Sequence, residues 1–195
     1  MKKPLIVIFL VLLLDQFSKI LVKTTMAIGD TIPVLGKWFY ILFIENNGMA
    51  FGWEISGAEW GKIFLSLFRI VAVILLFWLL FKLVKKKVKF GPLFGISLLI
   101  AGALGNIIDG MFYGLIFDYA GFMQGRVVDM LYFPLFTFPE WVPFLGGEIF
   151  FSPVFNVADS AITIGIFYLV IFQWNFVRNF ESILEIKKQD NGERD

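Results

Sequence analysis

Neither cysteine nor histidine occurs in this sequence of 195 residues. Without cysteine there are no disulfides, thiol nucleophiles or thiolate metal ligands. Without histidine there is no imidazole to act as a base or to bind a metal ion. Catalysis by this chain would depend on carboxylates, Lys, Ser, Thr or Tyr, and a water activated by carboxylates is the nucleophile that these limits favour.

Charge is also scarce, since only 17% of the residues are charged and the formal net charge is +1. Hydrophobic residues make up 58% of the chain, and the mean hydropathy is +0.80. A soluble domain is about 25% charged and about 45–50% apolar. The apolar excess predicts an integral membrane protein, and the small net charge gives no reason to expect a nucleic-acid partner.

Four segments are apolar over the roughly 20 residues that a membrane-spanning helix needs. They are residues 4–22, 63–83, 92–113 and 154–177. The first has the basic start of a signal peptide, but Asp15 and Lys19 interrupt it and no small-residue cleavage site follows, so we expect a retained span. The predicted fold is a mainly α membrane protein, with one domain over residues 1–180 and a charged cytoplasmic tail over residues 181–195.

Basic residues in short loops predict the orientation of the spans. Residues 82–89, between the second and third spans, contain five lysines, and Lys2 and Lys3 precede the first span. With four spans these residues lie on one side, which is the cytoplasmic side, together with both termini. The longer segments 23–62 and 114–151 then lie outside.

The outer segments do not have the composition of ordinary polar loops. Residues 32–53 mix β-branched and aromatic residues with Gly and Pro, which predicts short strands with turns. Residues 132–151 are rich in aromatics and prolines but too interrupted to span. Trp and Tyr are enriched at the membrane–water interface. We expect both segments to form a shelf on the outer leaflet, in contact with membrane lipids.

Ionisable residues inside spans are rare and usually functional. Asp15 and Lys19 lie one helical turn apart in the favourable order for an ion pair. This spacing has two interpretations, an internal ion pair or a lysine that contacts a substrate or a lipid head group.

Two further clusters contain amides and glycines. Asn46, Gly48 and Ala50 indicate a tight turn on the outer side, which is either structural or approached closely by a ligand. Gly102, Asn106 and Asp109 share one face of the third span, so Asn106 is equally well explained as polar contact in a helix-packing seam.

The strongest pair of candidate acids is Asp129, just before the aromatic segment, and Asp159, about one turn into the fourth span. Asn156 shares a face with Asp159. A salt bridge from Arg126 to either acid is the simpler alternative. Asp15 is a weaker candidate because Lys19 lies beside it and neutralises its charge. Asp109 and Asp118 are weaker candidates as well.

All these clusters map to the outer half of the membrane, which favours one site over scattered packing contacts. Two carboxylates held close together share a proton, so that one activates water and the other polarises a carbonyl. Three other functions stay open at this point. They are a transporter or channel, which would spread polar groups through the membrane depth, a structural assembly subunit, and a metal-dependent lipid-synthesis transferase.

Five ordered motifs over about residues 4–177 resemble the lipoprotein signal peptidase (signal peptidase II) family. They are "DQFSK", "NNGMAFG", "GNIIDG", "VVDMLYF" and "FNVADSAI". The resemblance implies a bacterial inner-membrane aspartyl protease that cleaves the signal peptide from prolipoproteins before a diacylglyceryl-modified cysteine, with its active site on the periplasmic side. It also implies a monomer without cofactor or metal, and inhibition by peptide antibiotics of the globomycin type.

Matching the motifs residue by residue assigns roles to the candidate positions. The resemblance makes Asp129 and Asp159 the catalytic pair. Substrate-binding or supporting positions are Asp15, Lys19, Asn46, Gly48, Ala50, Asn106, Asp109, Arg126 and Asn156.

The chain departs from the family pattern at Gly110. The family often has an arginine directly after the acid of this motif, where it helps to position the substrate backbone. We expect another cation to substitute, with Arg126 as the candidate, or the contact to be made differently. Residues 132–151 also look longer than in compact members, which suggests an insertion over the site.

Overall fold

The computed structural model describes residues 1–47 and 58–184. Its helices are α1 (Lys2–Thr25), α2 (Ala58–Lys85), α3 (Phe90–Ile108), α4 (Gly114–Ile116), α5 (Val157–Phe172), α6 (Trp174–Arg178) and α7 (Phe180–Leu184). Its strands are β1 (Thr31–Leu35), β2 (Phe39–Asn46), β3 (Val127–Tyr132), β4 (Phe136–Thr137), β5 (Ile149–Phe150) and β6 (Val154–Phe155). A π-helical turn (Asp109–Tyr113) joins α3 to α4.

Three helical stretches are long and apolar enough to cross a membrane, namely Lys2–Thr25, Gly61–Lys85 and Phe90–Ile116. They contain the first three predicted spans. α5 is apolar but has only 16 residues, or about 24 Å, against a hydrocarbon core of about 30 Å. It begins three residues later than the predicted fourth span because Val154 and Phe155 form β6. After Gln173 the short helix α6 continues the chain.

α3 is the central helix. In its most apolar stretch 67% of the residues are buried, against 22% in that of α1 and 17% in that of α2. Glycines bring its neighbours close, since a Cβ on Gly102 would lie 2.3 Å from the carbonyl oxygen of Ala158 in α5. Large apolar side chains such as Phe9, Phe68 and Phe167 are exposed on the surrounding helices, as expected for surfaces that face lipid.

The π-helical turn widens the end of α3 and frees backbone carbonyls for the loop that follows. Met123 and Gly125 donate their N–H groups to the carbonyl oxygens of Met111 and Gly110, at 3.1 and 2.9 Å. Gly125 passes so close that a Cβ there would lie 2.1 Å from the carbonyl oxygen of Asp109. This contact fixes where β3 begins relative to α3.

The main sheet is antiparallel, with the order β1-β2-β3-β6. Strands were predicted within residues 32–53, and β1 and β2 confirm this as far as Asn46, while residues 48–53 lie outside the described residues. Residues 127–130 of β3 are buried. Val128 and Met130 pack with Val22, Phe43 and Tyr113 in a core under the sheet, which anchors the sheet to the ends of α1 and α3.

Residues 132–151 form a separate aromatic hairpin around β4 and β5. Phe136 stacks on Phe150 with ring centroids 4.8 Å apart. Trp141 and Phe144 are exposed at its tip. The hairpin is consistent with a segment too interrupted to span, and its contact with the outer leaflet stays a prediction.

At the other end of the molecule, residues 181–184 of the predicted charged tail belong to α7, and the rest of the tail lies outside the described residues. A second apolar core lies nearby, made by Ile8, Leu80, Leu83, Leu93, Ile96, Ile100 and Ala101.

Candidate active site

A buried ion cluster joins α1 to the end of α3. Lys19 Nζ lies 2.9 Å from Asp15 Oδ2 and 2.8 Å from Asp109 Oδ2, and all three side chains are fully buried. The spacing of Asp15 and Lys19 predicted their ion pair, which is present. Asp109 completes it across the helix interface and also accepts a hydrogen bond from the N–H of Val128, at 3.3 Å.

Gln16 makes further hydrogen bonds to the acids of this cluster. Its Nε2 donates to Asp109 Oδ1 at 3.0 Å and to Asp15 Oδ2 at 3.1 Å, and its Oε1 accepts from the hydroxyl of Tyr113 at 3.2 Å. Sequence reasoning did not single out Gln16, although an amide directly after a buried acid in an apolar helix is itself a signal.

Asn106 connects the ion cluster to Asp159. Its Oδ1 accepts a hydrogen bond from Lys19 Nζ at 3.0 Å, and its Nδ2 donates to Asp159 Oδ1 at 2.8 Å. Because an ammonium can only donate, Lys19 fixes the amide of Asn106 with its NH₂ group toward Asp159. Asn106 is therefore held in one orientation by the cluster.

Asn156 is the N-cap of α5 and lies between the two strongest candidate acids. Its Oδ1 accepts from the N–H of Asp159 at 2.9 Å, while Asp159 Oδ2 accepts from the N–H of Asn156 at 3.4 Å, which is a capping box. Its Nδ2 donates to Asp129 Oδ1 at 2.6 Å. Asp15 accepts the N–H of Ala158 at 2.8 Å, so the first N–H groups of α5 meet one acceptor from its own N-cap and one from α1.

Asp129 comes from β3, where it pairs with Ile44 of β2, and only 3% of it is exposed. Besides Asn156, Asn46 Nδ2 donates to its Oδ2 at 3.2 Å. Burial, and secondarily the nearby charge of Asp159, raise the pKa of Asp129 to about 7, whereas the hydrogen bonds from the two Asn side chains act in the opposite direction. Asp159 itself is partly exposed.

The carboxylates at this end of the molecule therefore form two groups. Asp15 and Asp109 are fully buried and compensated by Lys19, while Asp129 and Asp159 have amides as their hydrogen-bond partners, and of these two Asp159 is partly exposed. A neutral and an ionised carboxyl at one place can deliver and remove a proton together. Over residues 1–47 and 58–184, no group of three or more Asp, Glu, His or Cys side chains is placed to hold a metal ion.

Arg126 does not pair with the acids that the sequence suggested as its partners. Among the described residues its ion pair is with Glu45 rather than with Asp129 or Asp159, at 3.1 Å between Nη1 and Oε2. Its guanidinium lies over the ring of Tyr119, and 45% of the side chain is exposed. Lys23 also pairs with Glu45. The alternative of a simple salt bridge to either candidate acid is wrong, because the guanidinium pairs with Glu45 instead.

Two predicted residues lie outside the described part of the chain, Gly48 and Ala50. Asn46 is described and reaches Asp129. Asp118, the weaker candidate, is exposed in a left-handed turn with φ of 53°. Sequence reasoning also missed Arg69, whose signal is a lone arginine in an apolar span.

Comparisons with known proteins show which family this chain is similar to. A family model described as signal peptidase (SPase) II matches residues 7–175. The lipoprotein signal peptidase of Porphyromonas gingivalis is 47% identical over 201 residues, covering 93% of this chain and 85% of that protein. That of Staphylococcus carnosus is 36% identical over 178 residues, covering 88% and 93%.

Two solved structures of bacterial membrane enzymes, determined by the in meso method, have the same fold. One, at 2.3 Å resolution, has a TM-score of 0.62 and 27% identity, covering 99% of this chain and 96% of that one. The other, at 1.9 Å, has a TM-score of 0.60 and 28% identity, covering 89% and 93%. The family model matches most of the chain, and the chain shares its fold with membrane enzymes and has paired carboxylates. The chain therefore belongs to the signal peptidase II family of membrane aspartic peptidases.

Proposed function

We propose that this enzyme cleaves the signal peptide from diacylglyceryl-modified prolipoproteins, using a water activated by Asp129 and Asp159. The observation that carries the proposal is that these two carboxyls, from β3 and from α5, are hydrogen-bonded to one shared residue. Asp129 Oδ1 accepts from Asn156 Nδ2, and Asp159 Oδ2 accepts from the backbone N–H of Asn156. Membership of the signal peptidase II family and relatives named lipoprotein signal peptidase support the choice of substrate.

The chemistry follows from one shared proton. With a pKa of about 7, a large share of Asp129 is still protonated at neutral pH, and this protonated form donates its proton to the carbonyl oxygen of the scissile peptide. Asp159 takes a proton from water as the water oxygen bonds to the carbonyl carbon, which gives a neutral gem-diol. That intermediate collapses when Asp129 takes back a hydroxyl proton and Asp159 protonates the leaving nitrogen, so the C–N bond breaks and both carboxyls return to their starting states.

Asn156 and Asn106 hold the two carboxyls during this cycle. Each donates to one oxygen of an acid and leaves other lone pairs for water and substrate. The buried cluster of Asp15, Lys19 and Asp109 supports them from behind by fixing Asn106 and the start of α5. Asn46 supports Asp129 from β2.

The site belongs at the outer leaflet of the bacterial inner membrane. It lies at the end of the helices opposite the five lysines of residues 82–89, at the end of α2 and in the loop before α3, which the positive-inside rule assigns to the cytoplasm. Asn106 is 16 residues from the start of α3, about 24 Å along the axis. With α5 and α6 as a fourth span, both termini are cytoplasmic and the acids meet a lipid-anchored substrate at its own depth.

The decisive experiment is cleavage of a diacylglyceryl-modified precursor by purified enzyme in detergent. Asp129→Asn and Asp159→Asn should each lower kcat at least about 10³-fold, the range seen when one member of a concerted pair is lost. Asp118→Asn is the matched control, because this acid is exposed and should leave cleavage unchanged.

The same assay tests the finer parts of the proposal. An unlipidated precursor should be cleaved poorly, and a globomycin-type peptide should compete with the lipidated one. Turnover retained by both Asn variants would disprove the two-aspartate mechanism, and equal cleavage of lipidated and unlipidated precursors would disprove the substrate class.

A further inference from the structure

The buried lysine of the site has no donor to offer a substrate. An ammonium has three N–H groups, and Lys19 has three acceptors, on Asp15, Asp109 and Asn106. The side chain is also fully buried. Lys19 therefore compensates the inner carboxylates and cannot also bind a peptide backbone.

Arg126 is not suited to that task either. Its guanidinium already has Glu45 and the ring of Tyr119 as partners. The position that the sequence left without a cation, Gly110, instead faces α2, because a Cβ on Gly110 would lie 3.4 Å from Ser66 Oγ.

The face of α2 that meets this place carries Arg69. Ser66 and Val73 are buried, with 4% and 6% of each exposed, and they mark the side of α2 that packs inward. Arg69 is three residues after Ser66 and four before Val73, so it lies on the same side of the helix. Its guanidinium interacts electrostatically with Asp159 most strongly, then with Asp109 and Asp129.

Arg69 also stays partly exposed, like Asp159 and unlike Lys19. A guanidinium has five N–H donors in a planar fork. Such a group can interact with a carboxylate and still donate to a second acceptor. At the edge of two carboxyls that process a peptide bond, that acceptor is a peptide carbonyl.

We infer that Arg69 is the substrate-positioning cation of this site, donating hydrogen bonds from α2 to backbone carbonyl oxygens of the signal peptide next to the scissile bond. The inference rests on the proposed function, and it replaces Arg126 in the role left open by Gly110. Arg69 thereby holds the peptide against Asp129 and Asp159 from α2.

The test measures cleavage of the lipidated precursor and the Tm of each variant in the same detergent. Arg69→Gln should lower kcat/KM about 10- to 100-fold, the range for a lost hydrogen bond with a charged donor, with Tm unchanged. Arg69→Lys should fall between wild type and Arg69→Gln, because it keeps the charge but loses the fork. Lys85→Gln, at the exposed cytoplasmic end of the same helix, should match wild type.

A second variant tests position rather than folding. Arg69→Gln combined with Gly110→Arg places a guanidinium on the facing element, where an added Cβ meets only Ser66 Oγ, at 3.4 Å. This double variant should recover part of the lost kcat/KM. Binding of the precursor to the inactive Asp159→Asn variant should weaken when Arg69→Gln is added.

Two results would overturn the inference. One is wild-type kcat/KM in Arg69→Gln, and the other is a loss of cleavage that follows a loss of Tm in both Arg69 variants. Either leaves the proposed function intact as long as the Asp129 and Asp159 variants are inactive. Cleavage retained by those Asp variants would instead reject the proposed function itself.

Discussion

At the residue scale, the four acids of this site differ in what their partners can donate. Asp15 and Asp109 each face the ammonium of Lys19, so their charge is compensated where they are sealed from water. Asp129 and Asp159 bond to neutral amides of Asn156 and Asn106. An amide orients a carboxyl without holding it ionised, which leaves a proton free to move.

The raised pKa of Asp129 predicts how stability and activity depend on pH. Because the folded state binds this proton more tightly than the unfolded state, the contribution of Asp129 to stability is complete below about pH 4 and is lost as pH rises through about 7. The Tm of Asp129→Asn relative to wild type should therefore rise between pH 5 and pH 8. Cleavage by wild type should decline as pH passes 7.

Asp118→Asn controls for this titration, since Asp118 is exposed. Its Tm should follow that of wild type at each pH. A difference between Asp129→Asn and wild type that is constant from pH 5 to pH 8 would mean that Asp129 does not titrate in this range.

At the element scale, the start of α5 is the structure on which the site depends. Its first N–H groups are taken by Asn156 and by Asp15 from α1, which satisfies donors that a helix start leaves open. Asp15 reaches that place because α3 has no side chain in the way at Gly105. A Cβ there would lie 2.4 Å from Asp15 Oδ2 and 3.1 Å from the Cβ of Ala158.

Gly105→Ala should therefore destabilise the protein and reduce cleavage together. Forcing a methyl group into a packed interior costs about 1–3 kcal/mol, and here it also displaces the acid that holds α5. Thermal unfolding and cleavage of the lipidated precursor would measure both effects. Gly110→Ala is the matched control for Tm, since its Cβ meets only Ser66 Oγ, at 3.4 Å; equal Tm values for the two variants would contradict the packing argument.

At the scale of the whole molecule, the buried polar groups of the site lie at one end of the helices, and each end has an apolar core. The core of Ile8, Leu80 and Ile100 lies at the end with the lysines of residues 82–89, and the core of Val128 and Tyr113 lies under the sheet beside the site. Such a division lets one end hold the helices together while the other end carries the costly polar groups.

The absence of cysteine makes the predicted topology easy to test, because each introduced cysteine is the only thiol. In intact spheroplasts, a membrane-impermeant maleimide should label Asp118→Cys but should label Lys86→Cys and Ser182→Cys only after permeabilisation. Labelling of Ser182→Cys from outside would mean that α5 and α6 do not cross, and the chain would then have three spans.

Local rules explain which parts of the site were predictable. The ion pair of Asp15 and Lys19 follows from helix periodicity, and the polar clusters follow from the cost of charge in an apolar span. The N-x-x-D pattern of a capping box was also present at Asn156 and Asp159. The sequence instead predicts Asn156 and Asp159 on one face inside a helix, because the apolar residues before them extend the predicted span to residue 154.

The sequence by itself determined a membrane protein and its long helices, because hydrophobicity and local spacing act along the chain, and it predicts the side on which the acids gather and the pair that acts. Only the tertiary structure decided that Asp109 joins Lys19, that Arg126 pairs with Glu45 and that Ser66 of α2 lies beside Gly110. These contacts depend on how closely helices approach and where β3 begins. Gly102, Gly105 and Gly125 allow those short distances because they have no side chain.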